Sequence, residues 1–166
     1  GKGRDTALMC RLAGSEGRVL AFDIQPEAVN QTRALLAAEG WQAEVIQDSH
    51  AHMARYAAQE SVDCIVFNFG RLPGGDPKIF TTADSSLPAI ETGLRLLRPG
   101  GVMALAIYYG KENGYDEKNA ILSYLKHIND RAFTILSCDW INRENDPPLP
   151  VFIWKEKSTC AIIKES

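Results

Sequence analysis

The sequence predicts an α/β fold, with a mostly parallel central sheet carrying helices on both faces. Three observations predict it. Short apolar runs alternate with segments of helical periodicity along nearly the whole chain, the pattern of stacked β-α units. A glycine turn, Gly1-Lys2-Gly3, leads straight into a helical segment, and an acid, Asp23, closes the strand that comes next. With 166 residues, 45% hydrophobic and 23% charged, the chain has the size and usage of one domain over residues 1–166, able to hold its core without disulfides or a structural metal.

The elements follow in order. After the turn a helical run continues through Leu12, and residues 19–24 (VLAFDI) read as a strand. Pro26 opens a helix at its favoured first-turn position; Ala28, Val29, Thr32, Leu35 and Leu36 mark its buried face and Gly40 closes it. Residues 43–46 form the next strand, and 62–68 (VDCIVFN) read as the most clearly buried one. Helical spacing runs over 87–97 and ends at Arg98-Pro99-Gly100-Gly101, before a buried strand at 102–107 (VMALAI). Residues 115–128 carry Ile121, Leu122, Leu125 and Ile128 at helical spacing. Strands at 133–138 and 151–154 complete the fold, joined by the polar, proline-bearing stretch 142–150. The tail from about residue 156 either adds a strand end at 160–163 or frays. A glycine turn of this kind ordinarily follows a buried strand, and a parallel sheet without that strand would leave backbone groups unpaired. The expectation is a preceding helix and first strand upstream of Gly1.

Several function classes drop out. A net charge of -3 excludes a strongly basic nucleic-acid coat, while leaving room for a local basic patch. Cys10, Cys64, Cys138 and Cys160 form no C-x-x-C pair, which removes zinc-ribbon and thioredoxin readings; Cys64 and Cys138 sit in apolar runs and read as core thiols of a reducing cytoplasm. No apolar run approaches the roughly 20 residues of a bilayer crossing, and no apolar stretch follows a basic start, so the expected location is the cytoplasm, away from membranes. His50-x-His52 lacks a third ligand nearby and is not read as a metal site. His52 reads as a helix-surface residue, and His127 as a cation near a helix end.

The chemistry starts at the glycine turn. Gly1, Lys2, Gly3, Asp5 and Thr6 surround a helix N-terminus, where backbone N–H groups approach a ligand closely. Asp23, followed by Ile24 and Gln25, stands where a strand-end carboxylate accepts from ribose hydroxyls. The pair indicates a nucleoside cofactor. A dinucleotide fingerprint wants Gly or Ala where Thr6 stands, whereas S-adenosylmethionine has no phosphate to cradle and needs only the close backbone and the carboxylate. At the next strand end, Asp48 can accept from an adenine amino group and Ser49 can cap the following helix; simple capping accounts for Asp48 and Ser49 equally well.

Residues 62–68 run into Phe69-Gly70-Arg71-Leu72-Pro73-Gly74-Gly75-Asp76, a loop at the carboxyl end of a strand, where open α/β sheets bind ligands. An amide such as Asn68 and the carbonyls of a glycine-rich turn can orient a nitrogen nucleophile without charging it. That is what methyl transfer to nitrogen requires, because in-line positioning carries much of the catalysis. A plain turn is the alternative. An alkylamine substrate must lose a proton, and His50, Asp76 and Tyr108 are candidate bases. Lys78, Lys111, Lys118, Arg71 and Arg143 can meet RNA phosphates, although scattered lysines are ordinarily just solvated surface. Tyr108, Tyr109, Phe69 and Trp140 can stack a splayed base, Phe69 and Trp140 reading equally well as core.

The strings GKGRDT, FDIQ, QDSH, FNFGRLPGGD, RPGG, IYYG and the late PP resemble, in order and spacing, the YtqB/MnmM-type S-adenosylmethionine-dependent methyltransferases, long described as rRNA methylases. The resemblance runs from Gly1 to about Lys155. It implies a Rossmann-like methyltransferase fold and N-methylation of the 5-aminomethyl group on the wobble (2-thio)uridine of tRNA, with the anticodon stem-loop as partner. It assigns Gly1, Gly3, Asp23, Gln25, Asp48 and Ser49 to the cofactor and residues 68–76 to methyl transfer, with Asn68, Gly70, Asp76, Tyr108 and His50 as catalytic candidates. Phe69, Arg71, Leu72, Pro73, Gly74, Lys78, Tyr108, Tyr109, Gly110 and Asn142 are candidates for substrate contact. Phe69 and Arg71 depart from the family's N-L-G-Y-L-P, which bears on substrate contact rather than on the reaction. An rRNA or small-molecule N/O-methyltransferase is the alternative, and a homodimer is compatible. An NAD-dependent oxidoreductase is more distant, since no Tyr-x-x-x-Lys or paired His-Asp accompanies the turn.

Overall fold

The computed structural model describes residues 1–70, 80–110 and 114–157. These fall into two compact units, Gly1–His52 and residues 53–70 with 80–157.

The first unit contains α1 (Arg4–Ala13), β1 (Leu20–Phe22), α2 (Pro26–Glu39) and β2 (Glu44–Ile46), with β1 and β2 paired in parallel. Pro26 occupies the first turn of α2, and the Gly40 N–H closes the helix on the Ala37 and Leu36 carbonyls. Ala28, Val29, Thr32 and Leu36 are buried along one face. A small apolar core forms where Ala7 and Cys10 of α1 meet Leu36, flanked by Val19, Leu35, Trp41, Ala43 and Val45. Among the described residues the buried thiol is therefore Cys10, its Sγ 3.4 Å from the Gln42 carbonyl. Cys64 and Cys138, expected in the core, are only half-buried. Burial pushes the Cys10 and Cys64 thiols up from their ordinary pKa. A 3-10 helix, His50–Arg55, follows β2.

The second unit contains β3 (Val62–Phe69), α3 (Ala83–Leu96), β4 (Leu97–Ile107), α4 (Gly114–Leu125), β5 (Phe133–Ser137) and β6 (Leu149–Lys155). Its sheet has the order β3-β4-β6-β5, parallel between β3 and β4 and antiparallel at β4/β6 and β6/β5. Ile65, Phe67 and Phe69 pair with Met103, Leu105 and Ile107, and Met103 and Leu105 pair in turn with Ile153 and Val151. All of these are buried, giving one continuous apolar face. Gly93 of α3 rests on that face, with space at its Cα bounded by Met103, Ile65 and Phe67. The opposite face is half exposed: Val66 pairs with Ala104, Ala104 with Phe152, and Val102 with Trp154. β3, read as the most clearly buried strand, alternates inward and outward residues.

Two boundaries differ from the sequence reading. The helix expected at residue 87 starts at Ala83, because the Thr82 N–H is bonded by Ser85 Oγ at 3.1 Å in a capping box. This start carries Pro88 inside the helix, one turn beyond the position proline prefers. The strand expected at residue 102 begins at Leu97, where Leu97 already pairs with Val62 before the register shifts ahead of Cys64. Among the described residues no helix is long and apolar enough to cross a membrane.

Leu105 is 2% exposed and sits between β3 and β6. Leu105→Ala is expected to cost about 2–5 kcal/mol of unfolding free energy, read from the urea midpoint, since the strands on either side restrict collapse into the cavity.

Candidate active site

In the first unit the site is built around the start of α1. Gly3 is the N-cap of α1 at φ 79°, and a Cβ there would lie 2.8 Å from the Thr32 Cα, so both the left-handed backbone and the close approach of α2 require glycine. The turn lies beside the end of β1: the Gly1 nitrogen donates to Asp23 Oδ2, and the Gln25 N–H donates to Oδ1 at 3.0 Å. Asp23 is itself fixed by its N–H on the Ile46 carbonyl. Glycine turn and carboxylate, distant in sequence, are thus adjacent. Lys2 and Asp5 are exposed, Thr6 and Gln25 are half-buried, and Ile24 is exposed.

At the end of β2, Asp48 Oδ1 accepts from the Ser49 N–H and faces His52 Nδ1, each at 2.7 Å. Ser49 Oγ accepts from the Ala51 N–H at 3.2 Å, so Ser49 caps the 3-10 helix. His52 remains at the surface with this carboxylate as partner, and His50 is half-buried.

In the second unit, Asn68 is exposed on β3 opposite Ala106. Phe69, expected among the substrate contacts, is a correction: its side chain is fully buried and stacked on Phe67 with centroids 5.0 Å apart. Strand alternation turns it into the core and Asn68 outward. Gly70 follows at φ 149°, with the Tyr108 Cβ only 3.1 Å from where its own Cβ would be. The Tyr108 N–H donates to the Phe69 carbonyl, and the Thr81 N–H to the Gly70 carbonyl at 3.0 Å. Tyr108 is exposed. Tyr109 meets Tyr115 edge-to-face, and Lys118 Nζ lies 3.6 Å from the Tyr109 centroid, so its charge is already engaged by a ring. Gly110 lies against Asp146, which accepts the Tyr115 hydroxyl. Trp140 is half exposed rather than core; its indole N–H donates to the Pro148 carbonyl and Arg143 lies above the ring. Asn142 is exposed. Arg71, Leu72, Pro73, Gly74, Asp76, Lys78 and Lys111 lie outside the described residues.

The sequence reading missed Glu117. This carboxylate in the first turn of α4 is 4% exposed, accepting from Ser86 Oγ at 2.5 Å and from Thr81 Oγ1 at 3.2 Å. The signal was present: Glu117 lies one and two helical turns before the buried Ile121 and Leu125. His127, beyond the end of α4, bonds the Ser123 carbonyl. Among the described residues no group of three or more His, Cys, Asp or Glu is arranged to hold a metal.

The family model described as "Putative rRNA methylase" matches residues 19–154. The chain belongs to this family. Members of the rRNA methylase family of known structure superpose closely on it. A "putative rRNA-methylase" from Clostridium thermocellum is 36% identical with a TM-score of 0.90, over 93% of this chain and 84% of that one. SMU.1697c, a "putative methyltransferase" from Streptococcus mutans in complex with SAH, is 33% identical with a TM-score of 0.84, over the same 93% and 84%. The chloroplastic tRNA (mnm(5)s(2)U34)-methyltransferase of Arabidopsis thaliana is 29% identical over 95% of this chain. The chain spans 61% of the length of that plant relative. The fold of this rRNA methylase family member is the Rossmann-like one of the methyltransferases.

Two outcomes follow from the geometry. Gly3→Ala is expected to lower stability by about 1–3 kcal/mol in chemical denaturation, through strain at φ 79°, with the Thr32 clash adding to it. Tyr115 is expected to titrate above the ordinary tyrosine pKa, because its bond to Asp146 favours the protonated phenol. That contact is fully present below the ordinary value of about 10 and is lost as pH rises through the raised one. Absorbance at 295 nm during alkaline titration should lose a step above the ordinary tyrosine value in Tyr115→Phe.

Proposed function

We propose that this chain is an S-adenosylmethionine-dependent methyltransferase domain that N-methylates the 5-aminomethyl group of the wobble (2-thio)uridine of tRNA. The observation that carries the reading is the Asp23 carboxylate at the end of β1, held beside a turn whose Gly3 admits no side chain. A carboxylate so held has the acceptors a ribose diol needs, and Gly1, with nothing within 4 Å of where a Cβ would stand, leaves backbone open to a ligand's amino-acid end. Support comes from the SAH complex of the Streptococcus mutans relative and from the activity named for the plant relative.

When bound, S-adenosylmethionine supplies an electrophilic methyl group on sulfonium sulfur. The residues of the chain supply the rest. Asp23 accepts the ribose hydroxyls, Gly1 and Gly3 offer backbone to the amino-acid end, and Asp48 with Ser49 flanks the adenine. The side-chain carbonyl of exposed Asn68 accepts an N–H of the substrate amine and directs its lone pair. Tyr108, exposed after β4, contacts the nucleobase beside it. The amine must be neutral to attack, so the rate is expected to rise with pH toward the pKa of the bound amine.

The family description favours ribosomal RNA as a second reading. Transfer of labelled methyl to tRNA carrying 5-aminomethyl-2-thiouridine, and not to ribosomal RNA, separates the two. In calorimetry S-adenosylhomocysteine is expected to bind and NAD not; NAD binding alone would overturn the reading. Asp23→Ala should weaken S-adenosylhomocysteine at least about 10-fold, the scale of one lost hydrogen bond to a charged group. Asn68→Ala should leave that affinity within about 2-fold and slow transfer by about 10- to 100-fold, the scale of a misplaced reactant.

A further inference from the structure

A carboxylate that is 4% exposed and held by two hydroxyl donors is an expensive group to keep in a core. Glu117 is also placed where a negative charge is best tolerated, in the first turn of α4 and against the first turn of α3, whose N-terminal N–H dipoles both favour an anion. Its two oxygens divide their work. Oε1 takes the hydroxyl of Ser86, which is fully buried in α3. Oε2 takes the hydroxyl of Thr81, whose backbone N–H holds the Gly70 carbonyl at 3.0 Å.

Gly70 packs on Tyr108, whose N–H holds the Phe69 carbonyl. The start of α4 closes the circuit from the other side, since a Cβ at Gly114 would lie 2.7 Å from the Tyr109 Cα. Glu117 thus ties α4 to the backbone that carries both Asn68 and Tyr108, without reaching either side chain itself.

Resting on the methyltransferase reading above, we propose that Glu117 is a positioning residue for that reaction, fixing the ends of β3 and β4 through Thr81, with Ser86 anchoring it to α3. The role is one of hydrogen-bond geometry, not of proton transfer. A glutamine can serve it, because hydroxyl groups both donate and accept and so can satisfy an amide as well as a carboxylate.

The test compares wild type, Glu117→Ala, Glu117→Gln, Thr81→Val and a control, Ile121→Val, which perturbs the buried face of α4 without touching the circuit. Single-turnover methyl transfer to tRNA bearing 5-aminomethyl-2-thiouridine is measured well below each unfolding midpoint, alongside S-adenosylhomocysteine affinity. A wild type that neither binds S-adenosylhomocysteine nor transfers methyl refutes the methyltransferase reading itself. With an active wild type, Glu117→Ala and Thr81→Val are expected to slow transfer about 10- to 100-fold. Their S-adenosylhomocysteine affinity should stay within about 2-fold, and Glu117→Gln and Ile121→Val should run near wild-type rate. Unchanged transfer in Thr81→Val overturns the proposal, as does a Glu117→Gln that folds and binds but is as slow as Glu117→Ala. If Glu117→Ala does not fold, Thr81→Val and Glu117→Gln decide alone.

Discussion

Strand β4 is hydrogen-bonded along both edges, parallel to β3 and antiparallel to β6, and the second unit depends on that double pairing. Because side chains alternate with a period of two, the register that buries Met103, Leu105 and Ile107 also decides which residues of the neighbouring strands face inward. It sets Phe69 against Ile107 in the core and Asn68 against Ala106 outside. A slip of one residue would bury Asn68 and expose Phe69. The same register brings the end of β3 level with that of β4, so Gly70 and Tyr108 emerge side by side and Tyr108 bonds back to Phe69. The chemistry proposed for the strand ends is thus a by-product of how the core is filled.

Two carboxylates illustrate how environment assigns roles to one functional group. Asp23 stands at a strand end with 22% of its side chain exposed, held by the Gly1 nitrogen and the Gln25 N–H. Glu117 is enclosed, and its partners are hydroxyls of the same unit. The open carboxylate suits recognition of something that comes and goes; the enclosed one suits permanent architecture. Neither role could be assigned from residue type, since both acids lie near the start of a helix.

Much of the scaffold was legible because local signals and tertiary packing agree. Pro26 and Gly40 punctuate α2 where the structure begins and ends it, and the apolar runs at 62–68 and 102–107 are strands of one sheet. The early start of α3 was hidden because its signal is a Thr82-Ser85 cap, while Pro88 argued for a later one. Phe69 was ambiguous because an aromatic at a strand end suits core and ligand equally, and only the register decides between them. The Tyr109 ring beneath Lys118 was not legible, since a cation–π partner on an earlier segment leaves no trace in spacing. Glu117 followed the buried spacing of α4 but was passed over because a charged residue is ordinarily given to the solvent face.

The approach of Gly3 to Thr32 has a bearing on how this chain can vary. The atom that excludes a side chain at position 3 is the Cα of Thr32, which every amino acid possesses. Trimming Thr32 to alanine or glycine cannot make room, so no second substitution at that site suppresses a defect at Gly3. Relief would require moving the whole of α2, and with it the Leu36 contacts that hold α1. Such a position has no compensatory route at Thr32 itself, and any other must pass through the packing of α2 on α1.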